Sequence, residues 1–294
     1  MMLRSLSALL TAIFLTAPLA RAQDAGDAAA AAEPTGKPLP GGVNLQRPVT
    51  EHFSDLVWLD NVLLYVITAI SLFVLALLLI VIVRFNKKAN PEPARFTHNA
   101  PLEVAWTAIP VLILIAIAIP SLRLLDKQLT IPEPEVTIKA TGYQWYWGYE
   151  YPDEGIDFTA YPVGLYASSE EERAAELEEA GYEPSDYLLA TDTRMIVPVD
   201  TNVHLLVTAA DVIHNWAMPS FGIKTDAIPG RLNEAWFNVS ETGTYFGQCS
   251  ELCGMNHAYM PITVEVVSKE DYAAWVAEQQ AAADGMRDVA ELAD

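Results

Sequence analysis

Two long apolar runs dominate the first half of the chain, and short alternating runs dominate the second. Val62 to Val83 is 22 residues without a charge, enough for a helix to cross a hydrocarbon core of roughly 30 Å. Val104 to Leu122 adds 19 uncharged residues that include Pro110 and Pro120. A membrane helix tolerates such prolines where neighbouring groups satisfy the freed carbonyl. Both lengths favour a transmembrane hairpin over 51–129, with helices at about 59–83 and 103–122, over two buried helices of a soluble protein. The loop between them carries Arg84, Lys87, Lys88 and Arg95 against Glu92 alone. Such an excess of positive charge in a short loop places it on the cytoplasmic side and both termini outside.

The N-terminus agrees with that orientation. Arg4, the apolar run Leu9 to Leu19 and the triplet Ala20-Arg21-Ala22 have the form of a cleaved secretory signal over 1–22; a short membrane anchor is the competing reading. Residues 23–50, rich in Ala, Gly and Pro, are expected to be a flexible lead-in.

From residue 130 the pattern changes to β. Candidate strands are Glu135–Ala140, Tyr143–Tyr151, Arg194–Val199, Val203–Ala209, Glu234–Val239, Gly243–Gly247 and Ile262–Val267, punctuated by Gly, Pro and Asp. Short strands in this number predict an all-β sandwich or Greek-key barrel over 130–283, followed by an acidic tail at 284–294. Two helices interrupt the pattern. Ser168 with Glu171 forms a capping-box signal for a helix ending near Gly181, and Ser268 is a cap for one running to about Ala283.

Charge sharpens the division. The chain holds 17 basic and 38 acidic residues, for a net charge of −21, yet 52% of its residues are hydrophobic. From residue 130 onward there are 29 acidic against 7 basic residues, so the water-exposed part carries the imbalance. A surface this acidic excludes nucleic-acid binding through a basic face.

The chemistry concentrates in one short segment. The chain has two cysteines, and both lie in Cys249-Ser250-Glu251-Leu252-Cys253, followed by His257 and Met260. His214 stands upstream in Asp211-Val212-Ile213-His214-Asn215-Trp216. Two thiolates, two imidazoles and a thioether form a soft donor set that favours copper over Mg, Ca or Mn. One loop presenting two sulfurs to a shared centre suits a pair of bridged metals, an arrangement adapted to electron transfer rather than hydrolysis. A Cys249–Cys253 disulfide, a structural Cys₂His₂ zinc site and plain packing of small thiols remain open. His52, His98 and His204 are assigned structural roles.

Two further features stand out. Alternation across Tyr143–Tyr151 puts Tyr143, Trp145, Trp147, Tyr149 and Tyr151 on one face of a strand, most of them as core, with one Trp able to reach the surface. Glu103 is an ionisable group at the cytoplasmic end of the second apolar helix, a position where carboxylates are functional suspects although a boundary Glu is often simply solvated.

Gln144-Trp145-Tyr146-Trp147, Ile213-His214-Asn215-Trp216, Lys224-Thr225-Asp226-Ala227-Ile228-Pro229-Gly230-Arg231 and Gly247-Gln248-Cys249-Ser250-Glu251-Leu252-Cys253-Gly254, with His257 and Met260, together resemble subunit II of the haem–copper cytochrome c oxidases in the bacterial form closest to the mitochondrial one. The resemblance covers roughly residues 50–275 and implies a cupredoxin-like barrel with a dinuclear copper A centre. It implies His214, Cys249, Cys253, His257, Met260 and the Glu251 backbone carbonyl as copper ligands, and the Glu251 side chain as a ligand to Mg or Mn shared with subunit I. Trp145 matches the point of electron entry from cytochrome c. Asp192 and Asp211 match docking acids, while Ala210 stands where some relatives have another acid. Glu103 matches the mouth of a proton-uptake path. The implied partners are subunit I, which holds the haems, the other oxidase subunits, cytochrome c and the lipid bilayer. The implied location is the bacterial inner membrane, with both termini and the copper domain in the periplasm. A quinol oxidase subunit II would lack the metal ligands, and nitrous oxide reductase would add a second copper domain. A membrane-anchored copper-delivery protein would not need the aromatic strand or Glu103. The segment around Ser168–Tyr187 is longer and more acidic than in the mitochondrial form and has no assigned role.

Overall fold

The structure, a computed structural model, describes residues 36–291, with side chains as far as residue 284. The expected signal over 1–22, the first part of the 23–50 lead-in and the end of the expected acidic tail lie outside the described residues. Two helices come first, α1 (Glu51–Arg84) and α2 (Ala100–Leu129). Thr50 caps α1 by accepting the Phe53 amide, and Asn99 caps α2 by accepting that of Leu102. Both helices outrun the apolar spans, because polar first and last turns extend them into water. At 1.5 Å per residue α1 is about 51 Å long, and its 34 residues include three extra turns before Val62. Pro110 and Pro120 lie inside α2 without ending it. The most apolar stretches of both helices are entirely unburied. Leaving such surface in water costs roughly 25 cal/mol per Å², so the hairpin needs a bilayer or protein partners around it.

The rest forms ten strands in two five-stranded sheets: β1 (Val136–Tyr143), β2 (Tyr146–Tyr151), β3 (Ile156–Ala160), β4 (Met195–Pro198), β5 (Val203–Ala209), β6 (His214–Met218), β7 (Ile223–Ala227), β8 (Asn233–Phe237), β9 (Gly243–Cys249) and β10 (Pro261–Val267). The sheet orders are β3-β2-β1-β5-β8 and β4-β10-β9-β6-β7. Pairing is antiparallel except for β1 with β5 and β4 with β10. The inner faces meet in a core that includes Ile138, Trp147, Tyr149, Tyr151, Met195, Leu205, Trp216, Phe221, Phe237, Tyr245 and Val264. Buried ring polar groups are served inside it: the Tyr151 hydroxyl bonds the backbone of Ile196, and the Trp216 indole donates to the Tyr149 hydroxyl.

The expected single strand Tyr143–Tyr151 is instead a hairpin. β1 ends at Tyr143, β2 begins at Tyr146, and these two residues pair directly, so Gln144 and Trp145 form its tip. Only Trp147, Tyr149 and Tyr151 of the aromatic series are core. Strands β3, β6 and β7 were absent from the alternation: every β6 residue is buried, which erases the period of two, and β3 and β7 bury only their end residues.

The lead-in is not loose over residues 36–50. It runs as a strap along β9, where the Phe246 amide donates to the Gly36 carbonyl, and on to Val49, which exchanges backbone hydrogen bonds with Ser220 and Ser240. Gly36 is obligatory because its φ is +77° and an added Cβ would meet the Thr244 carbonyl. The acidic insert between β3 and β4 contains α3 (Glu170–Glu179), capped by Ser169 rather than Ser168, with Glu172 accepting from the Ser168 amide. Lys37 latches strap to insert through ion pairs with the buried Asp186 at 2.7 Å and with Glu183 at 3.3 Å. Arg194 bonds Glu265, the Tyr182 hydroxyl and the Ala180 carbonyl. The final helix, α4 (Lys269–Glu291), begins at Ser268, whose hydroxyl accepts the Asp271 amide, and packs Trp275 on Tyr151 and Phe158.

Candidate metal centre

Two strand ends and one loop converge at one end of the sandwich. β9 delivers Cys249, the following loop delivers Cys253, His257 and Met260, and the start of β6 delivers His214. A ring nitrogen of His214 and both cysteine sulfurs lie within 4.8 Å of one another, and all three residues are buried. Cys249 and Cys253 are free thiols with sulfurs 3.8 Å apart. Cys253 Sγ is 3.7 Å from His257 Nδ1 and 3.5 Å from Met260 Sδ, and Cys249 Sγ is 3.3 Å from the Glu251 carbonyl oxygen. His214 Nδ1 is buried with no hydrogen-bond partner, although buried polar atoms are normally paired. An unserved imidazole nitrogen beside two thiols, a thioether and a carbonyl is the donor set of a soft metal, so these residues fit copper.

The sulfurs are electrostatically unlike. Burial pushes the Cys249 thiol up, but contact with His214 and hydrogen bonds at Asn215 and Glu251 outweigh it and bring it down to about 7. Burial and the neighbouring Cys249 push Cys253 up to about 12. Burial opposes protonation of His214, but Cys249 and Asp211 prevail and raise it.

Around the donors lies a tight frame. Asp211 Oδ1 accepts from the Val212 amide and lies 2.8 Å from His214 Nε2, while Oδ2 accepts the Gln144 amide at 2.7 Å. Burial works against the Asp211 charge, but these donors overcome it and hold its carboxyl below the usual value. Gln144 Nε2 and Trp145 Nε1 both donate to the Cys253 carbonyl, at 2.8 and 3.3 Å. A Cβ on Gly142 would come within 2.8 Å of the His214 ring, and one on Gly254 would press on Gln144 and Trp145. Sequence reasoning did not single out Gln144; its place beside Trp145 in an otherwise aromatic run was the available signal.

The other residues singled out from sequence are not donors of this cluster, though they differ in how near it they lie. Trp145 is half-buried against it. Asp192 is exposed and accepts the Tyr161 amide, and Tyr161 stacks on Tyr146 of the hairpin. The Glu251 side chain is exposed. Glu103 lies in the first turn of α2, where its carboxylate accepts the Asn99 amide and so completes a reciprocal cap.

A two-helix anchor bearing a β-sandwich with a buried Cys₂His soft-metal site defines a membrane-attached, copper-site protein. Comparison with known proteins narrows this. The family model "Cytochrome C oxidase subunit II, periplasmic domain" matches residues 136–267, and that family's transmembrane-domain model matches residues 38–124. The cytochrome c oxidase subunit 2 of Cereibacter sphaeroides is 53% identical over 246 residues, covering 82% of this chain and 81% of that protein. That of Cyanidium caldarium is 43% identical over 240 residues, covering 81% and 90%. A crystal structure of the periplasmic domain of subunit II of cytochrome oxidase from Bradyrhizobium japonicum is 43% identical, covering 51% of this chain and 97% of that one, with a TM-score of 0.43. The chain belongs to the cytochrome c oxidase subunit 2 family, a component of the haem–copper oxidase complex.

Proposed function

We propose that the chain is the electron-accepting subunit of its oxidase. In this reading His214, Cys249, Cys253, His257, Met260 and the Glu251 carbonyl hold a dinuclear copper A centre. Bound there, a copper pair would supply one-electron relay chemistry between cytochrome c and the haem of subunit I, where O₂ would be reduced to water with proton pumping. The observation that carries the reading is the orphaned His214 Nδ1 among two free buried thiols and a thioether, a set that neither a disulfide nor zinc would require.

The protein's own residues have separable tasks. Burial of Cys249, Cys253 and Met260 keeps water from the donors and limits rearrangement when charge changes. The Trp145 indole reaches from a half-exposed hairpin tip to the Cys253 carbonyl, a short contact from surface to centre. Asp192 and Asp211, beside that tip, add negative charge to a domain that is already acidic, which steers a basic cytochrome c and makes its encounter rate fall with salt. The exposed Glu251 carboxylate is available for a Mg or Mn ion completed by subunit I. Glu103, at the loop end of α2, stands where a proton would enter from the cytoplasm. The basic loop supports a bacterial inner-membrane hairpin with the β domain in the periplasm.

The test is copper content with electron paramagnetic resonance on the full chain in detergent. Two coppers per chain sharing one unpaired electron are expected. A single copper with a mononuclear spectrum, or none with an oxidised cysteine pair, overturns the assignment.

A further inference from the structure

We propose that Asp211 is a positioning residue that joins the His214 imidazole to the hairpin tip carrying Trp145, so that one carboxylate sets both the donor nitrogen of the metal centre and the seat of the electron-entry indole. The proposal rests on the copper reading above and deepens it. An ionised carboxylate can only accept, so the 2.8 Å contact with His214 places the imidazole proton on Nε2. Which nitrogen of a histidine is free for a metal is fixed by the hydrogen bond that the other makes. With the proton on Nε2, Nδ1 keeps its lone pair, and Nδ1 is the buried atom that has no hydrogen-bond partner.

The second oxygen of the same carboxylate accepts the Gln144 amide at 2.7 Å. Gln144 is half of the tip, and its side chain shares the Cys253 carbonyl with the Trp145 indole. The tip is therefore held on one side by Asp211 and on the other by the cysteine loop. The side chain of Asp211 keeps only 33% of its exposure, and its three donors occupy both oxygens. This geometry differs from that of a freely solvated acid waiting for a partner protein. Gly142, whose missing Cβ leaves room for the His214 ring, closes the frame from the strand before the tip.

Asp211→Leu tests the proposal best, because it keeps the branched shape and offers none of the three donors an acceptor. The full chain in detergent is read first without copper: histidine-labelled ¹⁵N shifts report the His214 tautomer, and indole emission reports the Trp145 environment against a Trp145→Phe reference. The expected result is loss of the Nε2–H form of His214 and a changed Trp145 emission. With copper added, affinity falls about 10–100-fold, as for other carboxylates behind metal-binding histidines, and the hyperfine pattern shifts. Asp157→Asn, which removes a surface charge with no contact to the centre, leaves all these signals in place. An Asp211→Leu protein with wild-type tautomer, emission and copper spectrum, altered only in the salt dependence of its reaction with cytochrome c, overturns the proposal and leaves Asp211 as a docking charge. If the wild type itself fails to take two coppers, the copper reading falls, while the copper-free signals still decide the role of Asp211.

Discussion

Two of the domain's polar clusters differ in one respect. Where the strap meets the insert, Lys37 faces Asp186 and Glu183, and Arg194 faces Glu265. Opposite charges meet there, within the chain. At the cysteine loop the accounts stay open: His214 Nδ1 has no partner, two thiols face each other without a disulfide, and Met260 points its sulfur at one of them. A polar cluster that completes itself is a structural device, and one that leaves donors unserved calls for something from outside.

The largest effect expected from this contrast is at Cys249. Replacing it with serine should abolish the shared-electron copper signal while barely changing the melting of the copper-free protein, since a small buried group is exchanged for another. A normal copper spectrum in Cys249→Ser would erase the distinction. Next comes Trp145→Gln, which should keep both coppers but slow reduction by cytochrome c at least about tenfold, or ~1.4 kcal/mol in barrier. Stopped-flow reduction kinetics unchanged from wild type would take Trp145 out of the path.

The smallest effect lies at the latch. Lys37→Met should cost about 1–2 kcal/mol of stability, because it leaves Asp186 buried without its counter-charge, discounted for the partial exposure of Lys37. Copper binding should not change. The pH dependence follows from sign. Burial disfavours the Lys37 charge, but Asp186 and Glu183 more than compensate and raise its pKa above 10.5. Its contribution is therefore full below 10.5 and fades as pH rises through the folded value. Melting curves of wild type and Lys37→Met, followed by near-ultraviolet circular dichroism, should stay apart at neutral pH and approach each other only in strong alkali. Curves that coincide at pH 7 would mean that the latch holds nothing.

Much of this was legible beforehand, for physical reasons that also mark where legibility stopped. The hairpin follows from uncharged length alone, and the donor set from residue types that a soft metal requires. The hairpin turn at Gln144 and Trp145 was hidden because Tyr143–Trp147 contains no Gly, Pro or Asn to announce a turn. Strand β6 was hidden because burial on both faces removes alternation. The strap was misjudged because Ala, Gly and Pro describe a chain with few contacts of its own, whereas Gly36, Lys37 and Val49 draw theirs from distant β9, Asp186 and Ser220. The inward turn of Asp211 depends on three donors scattered between residues 144 and 214, which no local pattern brings together.

The strap also settles how the anchor is joined to the rest. Because residues 36–50 belong to the sandwich before the chain enters α1, the membrane hairpin is an insertion within the β domain, not an appendage at its end. The domain is held to the bilayer by two tethers, one entering at Thr50 and one leaving after Leu129, and the Trp236 indole donating to the Lys127 carbonyl pins the second. Two tethers restrict the swivel that a single linker would allow. A soluble fragment that begins at residue 130 gives up both tethers together with Lys37 and Val49, and should be less stable than the same domain in the intact chain.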